Sequence, residues 1–567
     1  MNSALLLTLR RLRWPLVLLV GVYAVGITGL VLIPGVDEHG NPASMGFFHA
    51  FYFMSYTSST IGFGEIPTAF TDAQRLWVSL VIYLSVVAWA FTVGTALTLL
   101  QDRGFRQALT VQRFRRQVRR LYEPFYIVCG YGETGALVCR TLDYWGLRFT
   151  VLDIDPATVD ELDLAQHRVE TPALVADARQ PEQLLLAGLK NPACRGVLAL
   201  TNDDDANLAV AITVRLLNPS VPVLARAMSR AVADNMASFH TDHIVNPFRI
   251  FGETLSAALE APAMFRLMLR LTSLHHRGPD VDDCPPRGHW VVCGYGRFGR
   301  EVVGAFDRES LEVTIIDPDA RPETGHLFIQ GFGTEAEPLL RAGIEGAVGI
   351  VAGTDDDVNN LSIAVTARHL NPKLYVIVRQ NLHSNRSLFE AFKPNYNAVS
   401  AELIAGRCLS TIATPLLEPF LRLARQQSDS WAEDLLERID AVGAKLTPVT
   451  WSVRLDAAGA PAASAAMANG GPPLALGELM RDPADRANAL ACVPLLLRRG
   501  GRDELLPAAD MPLQPGDELL FTGRNSARRA QQRALANLNV LDYLRTGRDV
   551  PGGWIWQKLA RAGGTTR

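Results

Sequence analysis

Two kinds of glycine-rich string in this sequence could do chemistry. The first reads Thr60, Ile61, Gly62, Phe63, Gly64, with Glu65 after it. Alternating glycines free the backbone to turn successive carbonyls toward one axis, and the Thr60 hydroxyl can extend the same column. Such a column takes the place of the water shell of a dehydrated cation. The second string occurs twice, as Gly130, Tyr131, Gly132, Glu133, Thr134, Gly135 and as Gly294, Tyr295, Gly296, Arg297, Phe298, Gly299. Each copy follows an apolar run and precedes a helical pattern. In that setting the first glycine makes a tight turn, the second lets a phosphate approach the backbone, and the third lets helix and strand close together. Asp153 and Asp317 end the next apolar run of each copy, where a carboxylate accepts hydrogen bonds from an adenosine ribose and disfavours a 2′-phosphate. NAD(H) or an adenine nucleotide, ADP or ATP, is therefore expected over NADP(H). The competing reading keeps the glycines for packing alone.

The elements that must position these strings follow from charge. Residues 14–36 and 76–101 contain no charged side chain. Each run is about the length that crosses a hydrocarbon core, and a charge at its centre would cost about 2.5 to 3.5 kcal/mol. Two transmembrane helices are expected. Arg10, Arg11 and Arg13 make the start resemble a signal peptide, yet the run is too long and no small-residue cleavage site closes it. Those arginines, with Arg103, Arg106, Arg113, Arg115, Arg116, Arg119 and Arg120 after the second run, put both outer flanks in the cytoplasm by the positive-inside rule. The segment between, with Asp37 and Glu38, then faces outward. Its apolar, aromatic stretch 45–56 leads into the first glycine string, so it reads as re-entrant: non-helical backbone survives at membrane depth only when protein or a water-filled path surrounds it. No arginine repeat of the voltage-sensing kind precedes it.

Beyond the basic stretch the chain is duplicated. Besides the glycine strings, Thr201 with Asp203, Asp204, Asp205 and Asn207 returns as Thr354 with Asp355, Asp356, Asp357 and Asn360, and Arg226 returns as Arg379. Each copy alternates short apolar β-branched runs, such as 150–152, 197–200 and 221–224, with longer helical patterns, which predicts a parallel sheet with crossover helices. The acidic runs are expected to cap helices; a divalent-cation site is the sharper alternative. Arg226 and Arg379, each ending a strand, are expected as structural ion-pair partners. Seven cysteines, an odd number without C-x-x-C spacing, fit a reduced protein; Cys129 and Cys293 are small buried residues or else redox sensors. A net charge of −3 over 567 residues gives no sign of a nucleic-acid partner.

Residues 60–64 resemble the selectivity filter of potassium channels, with Phe63 where tyrosine is commonest and Glu65 where aspartate is commonest. Span, pore helix, filter and span resemble that family's minimal two-span subunit. The duplicated part resembles the nucleotide-binding lobes of RCK domains, the regulators of K+ conductance shared with Trk and Ktr uptake systems, and 445–523 resembles the small C-terminal lobe of that family. The resemblance implies a multidomain fold: a helical pore domain (1–110), a linker (111–124), two Rossmann-like α/β lobes (125–274 and 289–440) joined by a linker (275–288), a small α+β lobe (441–530) and a tail (531–567). It adds Asp177, after the third strand of the first copy, to the ligand residues; the second copy has Gly331, Phe332 and Gly333 there and lacks the acid. It places Ser85 at the usual gating-hinge glycine, with Gly94 the next candidate. The segment 457–473, rich in Ala, Gly and Pro, is expected to be a flexible insertion. Implied overall is a homotetramer in the cell membrane, both termini cytoplasmic, with a ring of eight lobes whose nucleotide binding gates potassium flow. No catalytic residue and no metal beyond K+ is expected. The rivals are a nucleotide-binding regulatory subunit and a membrane-tethered NAD-dependent oxidoreductase.

Overall fold

Apolar runs of membrane length must satisfy every backbone group internally, which makes them helices. In the computed structural model the outer helix Ser3–Leu32 and the inner helix Asp72–Gln101 meet this requirement. Residues 3–36, 41–65, 69–272, 284–319, 325–443, 448–468 and 473–547 are described; Asp37, Glu38, most of the 275–288 linker and the end of the tail lie outside them. The chain divides into two units, Met1–Leu121 and Tyr122–Arg567.

In the first unit the two long helices pack along each other and hold the pore helix Phe47–Ser58. Their contact is keyed by glycine. Trp77 lays its ring against Gly29, where a Cβ would lie 2.1 Å from it, and its Nε1 donates to the Gly26 carbonyl at 3.2 Å. Ile27, Leu30, Ala50, Phe53, Met54, Tyr56, Val78 and Val81 form the buried core. Leu16, Val17, Val20, Leu80, Leu84 and Val87 remain exposed, the reverse of a water-soluble helix pair. Residues 111–119, expected as linker, belong to a helix, Arg103–Arg119, that packs against both long helices. Asp102 starts it by accepting from the Phe105 amide.

The second unit begins with two copies of one architecture. The first sheet is built from Phe125–Cys129, Arg148–Asp153, Ala173–Val175, Cys194–Ala199, Val223–Arg226 and His243–Val245. The second uses Trp290–Cys293, Val313–Asp317, Leu327–Gln330, Gly349–Ala352, Tyr375–Gln380 and Tyr396–Val399. Both are wholly parallel, with strands side by side in the order third, second, first, fourth, fifth, sixth. That is the doubly wound order, whose ligand crevice opens beyond the carboxyl end of the first strand. The fifth strand of the first copy lies two residues later than the apolar run 221–224 suggests, because Val221 and Pro222 belong to the preceding turn.

The two copies exchange helices. Helix Pro247–Glu260, which closes the first copy, packs on Arg297–Arg308 of the second; Phe248, Phe251, Leu255 and Leu259 share a core with Val302, Val303 and Phe306. Helix Ser400–Ala413, which closes the second, packs on Glu133–Tyr144 of the first through Ile404, Ala405, Cys408 and Leu409. Gly252 permits the first crossing, since a Cβ there would stand 2.9 Å from the Glu301 carbonyl.

The last lobe carries an antiparallel sheet in the order Val449–Arg454, Glu518–Gly523, Cys492–Arg499, Arg502–Leu505. The flexible insertion expected at 457–473 is a helix over Pro461–Ala468, and Ala460, Ala462, Ala463 and Ala466 lie in the lobe's core. Alanine is the strongest helix former, and its small side chain fits close against the neighbouring helices. Leu535 and Leu541 share this core, so the lobe runs past residue 530 through helix Leu538–Thr546.

Candidate pore and nucleotide sites

The pore helix delivers the first glycine string. At its end the Tyr56 carbonyl accepts from the amides of Ile61 (3.0 Å) and Gly62 (3.2 Å), fastening the strand to the helix. Thr60, Gly62 and Gly64 have φ of 60°, 65° and 75°, whereas Ile61 and Phe63 do not enter positive φ. A chain that alternates hands in this way turns successive carbonyls to the same side. Glycine removes the left-handed penalty at two of the three positions, and Thr60 bears it at the third. The strand's far end is clasped by two tyrosines: Tyr56 donates to the Glu65 carbonyl at 2.9 Å and Tyr52 to its carboxylate at 3.0 Å. Their place one helical turn apart is the signal the sequence holds for this clasp. Ser85 is buried within an unbroken inner helix, its hydroxyl donating to the Ile82 carbonyl, and no atom stands within 4 Å of a Cβ built on Gly94.

In each nucleotide fold the register sets the glycine turn level with the acid. Cys129 pairs with Leu152 and Cys293 with Ile316, so Gly130 and Asp153, then Gly294 and Asp317, follow side by side. Gly130 and Gly294 have φ of 96° and 94°. At Gly135 and Gly299 a Cβ would come within 2.0 Å of the carbonyl of the first glycine. These four are required by the fold. Gly132 and Gly296 are not: φ is −63° and −73°, and a Cβ would meet only the Asn202 amide nitrogen at 4.0 Å in the first copy and nothing within 4 Å in the second. Packing alone therefore leaves the middle glycines unexplained, while the approach of a phosphate to a helix N-terminus explains both. The carboxylates are already oriented. Asp153 accepts from the amides of Tyr131 (2.6 Å) and Asp155 (2.8 Å), and Asp317 from Tyr295 (2.6 Å) and Asp319 (2.9 Å).

Most of the acidic side chains answer backbone amides. Asp203 and Asp356 cap their helices, as expected, while Asp204 accepts from Met228 and Ser229, and Asp357 from Asn381 and Leu382, which pins the turn after the fifth strand. Arg379 is an ion-pair partner, 2.5 Å from Asp355, and lies over the Phe248 ring. Arg226 instead donates to the Asn202 side chain at 2.6 Å, because asparagine occupies the position that Asp355 holds in the second copy. Burial pulls both guanidinium pKa values down. Asp177 folds back on its own turn to Arg179, 2.9 Å away, which holds its carboxyl below the usual range. In the second copy Gly333 has no room for a side chain, since a Cβ would lie 2.6 Å from Cys293 Sγ.

The remaining string residues differ between copies. Thr134 is buried at the first turn of its helix; Phe298, its counterpart, is buried against Phe248 and Phe251. Glu133 accepts from the His383 amide at 2.7 Å, bringing the second copy onto the rim of the first site. Spacing within one copy carries no sign of that contact.

Residues 17–102 match the ion channel family, and residues 126–247 and 290–397 each match the TrkA-N domain. Potassium channel protein 1 of Methanocaldococcus jannaschii is 26% identical over 207 residues, covering 36% of this chain and 60% of that protein. The probable potassium channel protein 2 of the same organism is 24% identical over 234 residues, covering 41% and 64%. The matches thus span about three fifths of either relative's length. Among solved structures, the GsuK channel bound to NAD aligns over 94% of this chain and 100% of its own at 16% identity, with a TM-score of 0.47.

Proposed function

The chain joins an ion-channel domain to two TrkA-N domains, and on that composition we propose that it is one subunit of a homotetrameric potassium-selective channel whose gate responds to cytoplasmic nucleotide. The observation that carries the reading is the alternation of backbone hand at Thr60, Gly62 and Gly64, at the end of a helix wedged between two membrane-length helices. Four copies of that strand around an axis would offer stacked rings of carbonyls to a bare K+. Both termini lie in the cytoplasm, where the arginine flanks hold them.

Gly130, Gly132, Gly135 and Asp153, and their counterparts Gly294, Gly296, Gly299 and Asp317, hold NAD(H), ADP or ATP. The phosphates lie at the helix start and the ribose at the acid. Asp177, Glu133, Thr134 and Tyr131 border the first site, and Arg297 and Phe298 the second. When nucleotide is bound it supplies charge and contact between strand and helix; no bond is made or broken. Differences in affinity between two shapes of an eight-lobed ring would bias the inner helices through the basic helix. Taking a gate from 1:99 to 99:1 needs about 5.5 kcal/mol, or roughly 0.7 from each of eight sites.

Purified protein alone in liposomes should pass K+ far faster than Na+, with a rate that changes on adding NAD(H), ADP or ATP. Absence of K+ flux under every nucleotide would overturn the pore and favour a regulatory subunit; hydride transfer by the purified protein would favour the oxidoreductase. K+ flux indifferent to all of these ligands would overturn the gating half.

A further inference from the structure

Several arginines of the second unit are matched with acids: Arg148 with Glu123 at 2.6 Å, Arg270 with Asp440 at 2.6 Å, Arg499 with Asp517 at 2.7 Å. The second half of helix Arg103–Arg119 offers its arginines no acid nearby in the chain. Between Asp102 and Glu123 the sequence has no acidic residue. Arg113, Arg115, Arg116, Arg119 and Arg120 are exposed, and none forms an ion pair among the described residues. Phe114 and Val118 are buried on one side of the helix, while Arg113, Arg116 and the C-cap Arg120 share the side away from them at helical spacing. Orientation of the spans by positive charge needs an excess of arginine, not its collection on one face of an ordered helix.

Position selects the partner. The helix begins two residues after the inner span ends and packs against both spans, so its arginines are held beside the bilayer rather than carried away from it. An unneutralised cationic face at that depth meets the phosphate surface of the inner leaflet, and each basic side chain within a Debye length of anionic lipid adds to the attraction. We infer that the Arg113, Arg116 and Arg120 face binds the headgroups of anionic phospholipids. This rests on the cytoplasmic placement proposed above. Bound lipid ties the segment between inner span and nucleotide lobes to the membrane, making lipid composition a second input to the gate.

The test uses the full chain exchanged into detergent containing equal phosphatidylcholine and phosphatidylglycerol, then washed with phosphatidylcholine, with retained lipid extracted and weighed by mass spectrometry. Wild type keeps phosphatidylglycerol in preference. The triple variant Arg113→Gln, Arg116→Gln, Arg120→Gln keeps at least about tenfold less, while Arg113→Lys, Arg116→Lys, Arg120→Lys keeps the preference, because a headgroup phosphate is drawn by charge. Equal retention by wild type and glutamine variant overturns the inference, and so does loss in the lysine variant as well, which would point to folding rather than charge. Retention is read without ion flow. A protein that conducts K+ without retaining phosphatidylglycerol sinks the lipid inference alone, and one that retains it without conducting sinks the pore reading alone.

Discussion

At the scale of single residues, the three glycines of each nucleotide string separate by what a methyl group would meet. Gly135→Ala drives a Cβ to within 2.0 Å of the Gly130 carbonyl, and overpacking of that kind should cost about 3 kcal/mol of stability. Thermal unfolding of the second unit should register it as an earlier transition. Gly132→Ala meets open space and should cost under about 1 kcal/mol, yet calorimetric nucleotide affinity should fall about tenfold or more, because the methyl occupies the phosphate's approach. If the glycines served packing alone, the two variants would be indistinguishable in affinity. The thiols offer a second check. Burial pushes Cys129 and Cys293 up to about 12, and Cys492 as well, so at pH 8 they stay protonated and unreactive. Iodoacetamide should label Cys284, which is partly exposed, in the folded protein, with the other six reacting only in denaturant. Early labelling of Cys129 would restore the redox-sensor reading.

At the scale of elements, the filter strand is held by conformation more than by neighbours. Gly64 has φ of 75° and no atom within 4 Å of a built Cβ. Gly64→Ala therefore acts by left-handed strain alone, about 1 kcal/mol in each copy, and K+ flux in liposomes should fall steeply while the yield of folded protein is kept. In the last lobe, Ala463→Asp places a charge where exposure is 0%, and the lobe should lose its cooperative unfolding transition. That helix also marks where reading from sequence stopped short. The spans, the doubly wound sheets and the glycine turns were legible because charge-free length, β-branched alternation and glycine spacing are local signals. Residues 461–468 misled because alanine beside glycine and proline resembles linker composition, and only the surrounding core turns such a run into a helix. The Tyr52 and Tyr56 clasp, the Glu133 contact with His383 and the exchanged helices were not legible, since each depends on a partner distant in the chain or on a side chain's direction. The partner of Arg226 turns on one side chain's chemistry: position 202 carries an amide where its repeat carries an acid.

At the scale of the whole molecule, the proposed channel is an assembly. One chain supplies a single strand of carbonyls, and Ile61 and Phe63 stand 61% and 65% exposed beside it, so the proposed pore needs a closed ring of like subunits to give the strand its function. Light scattering in detergent, corrected for bound detergent, should return four chains of 61.9 kDa; a stable monomer would contradict the assembly. The exchange of closing helices carries a consequence for biosynthesis. The core around Val138 and Leu142 is completed by Ile404 and Leu409, so the N-terminal lobe leaves the ribosome with an apolar flank uncovered and cannot finish until residues 400–413 have been translated. A nascent chain arrested near residue 288 should be captured by chaperones and digested by protease, whereas one released beyond residue 413 should resist both, the two halves maturing together rather than in turn.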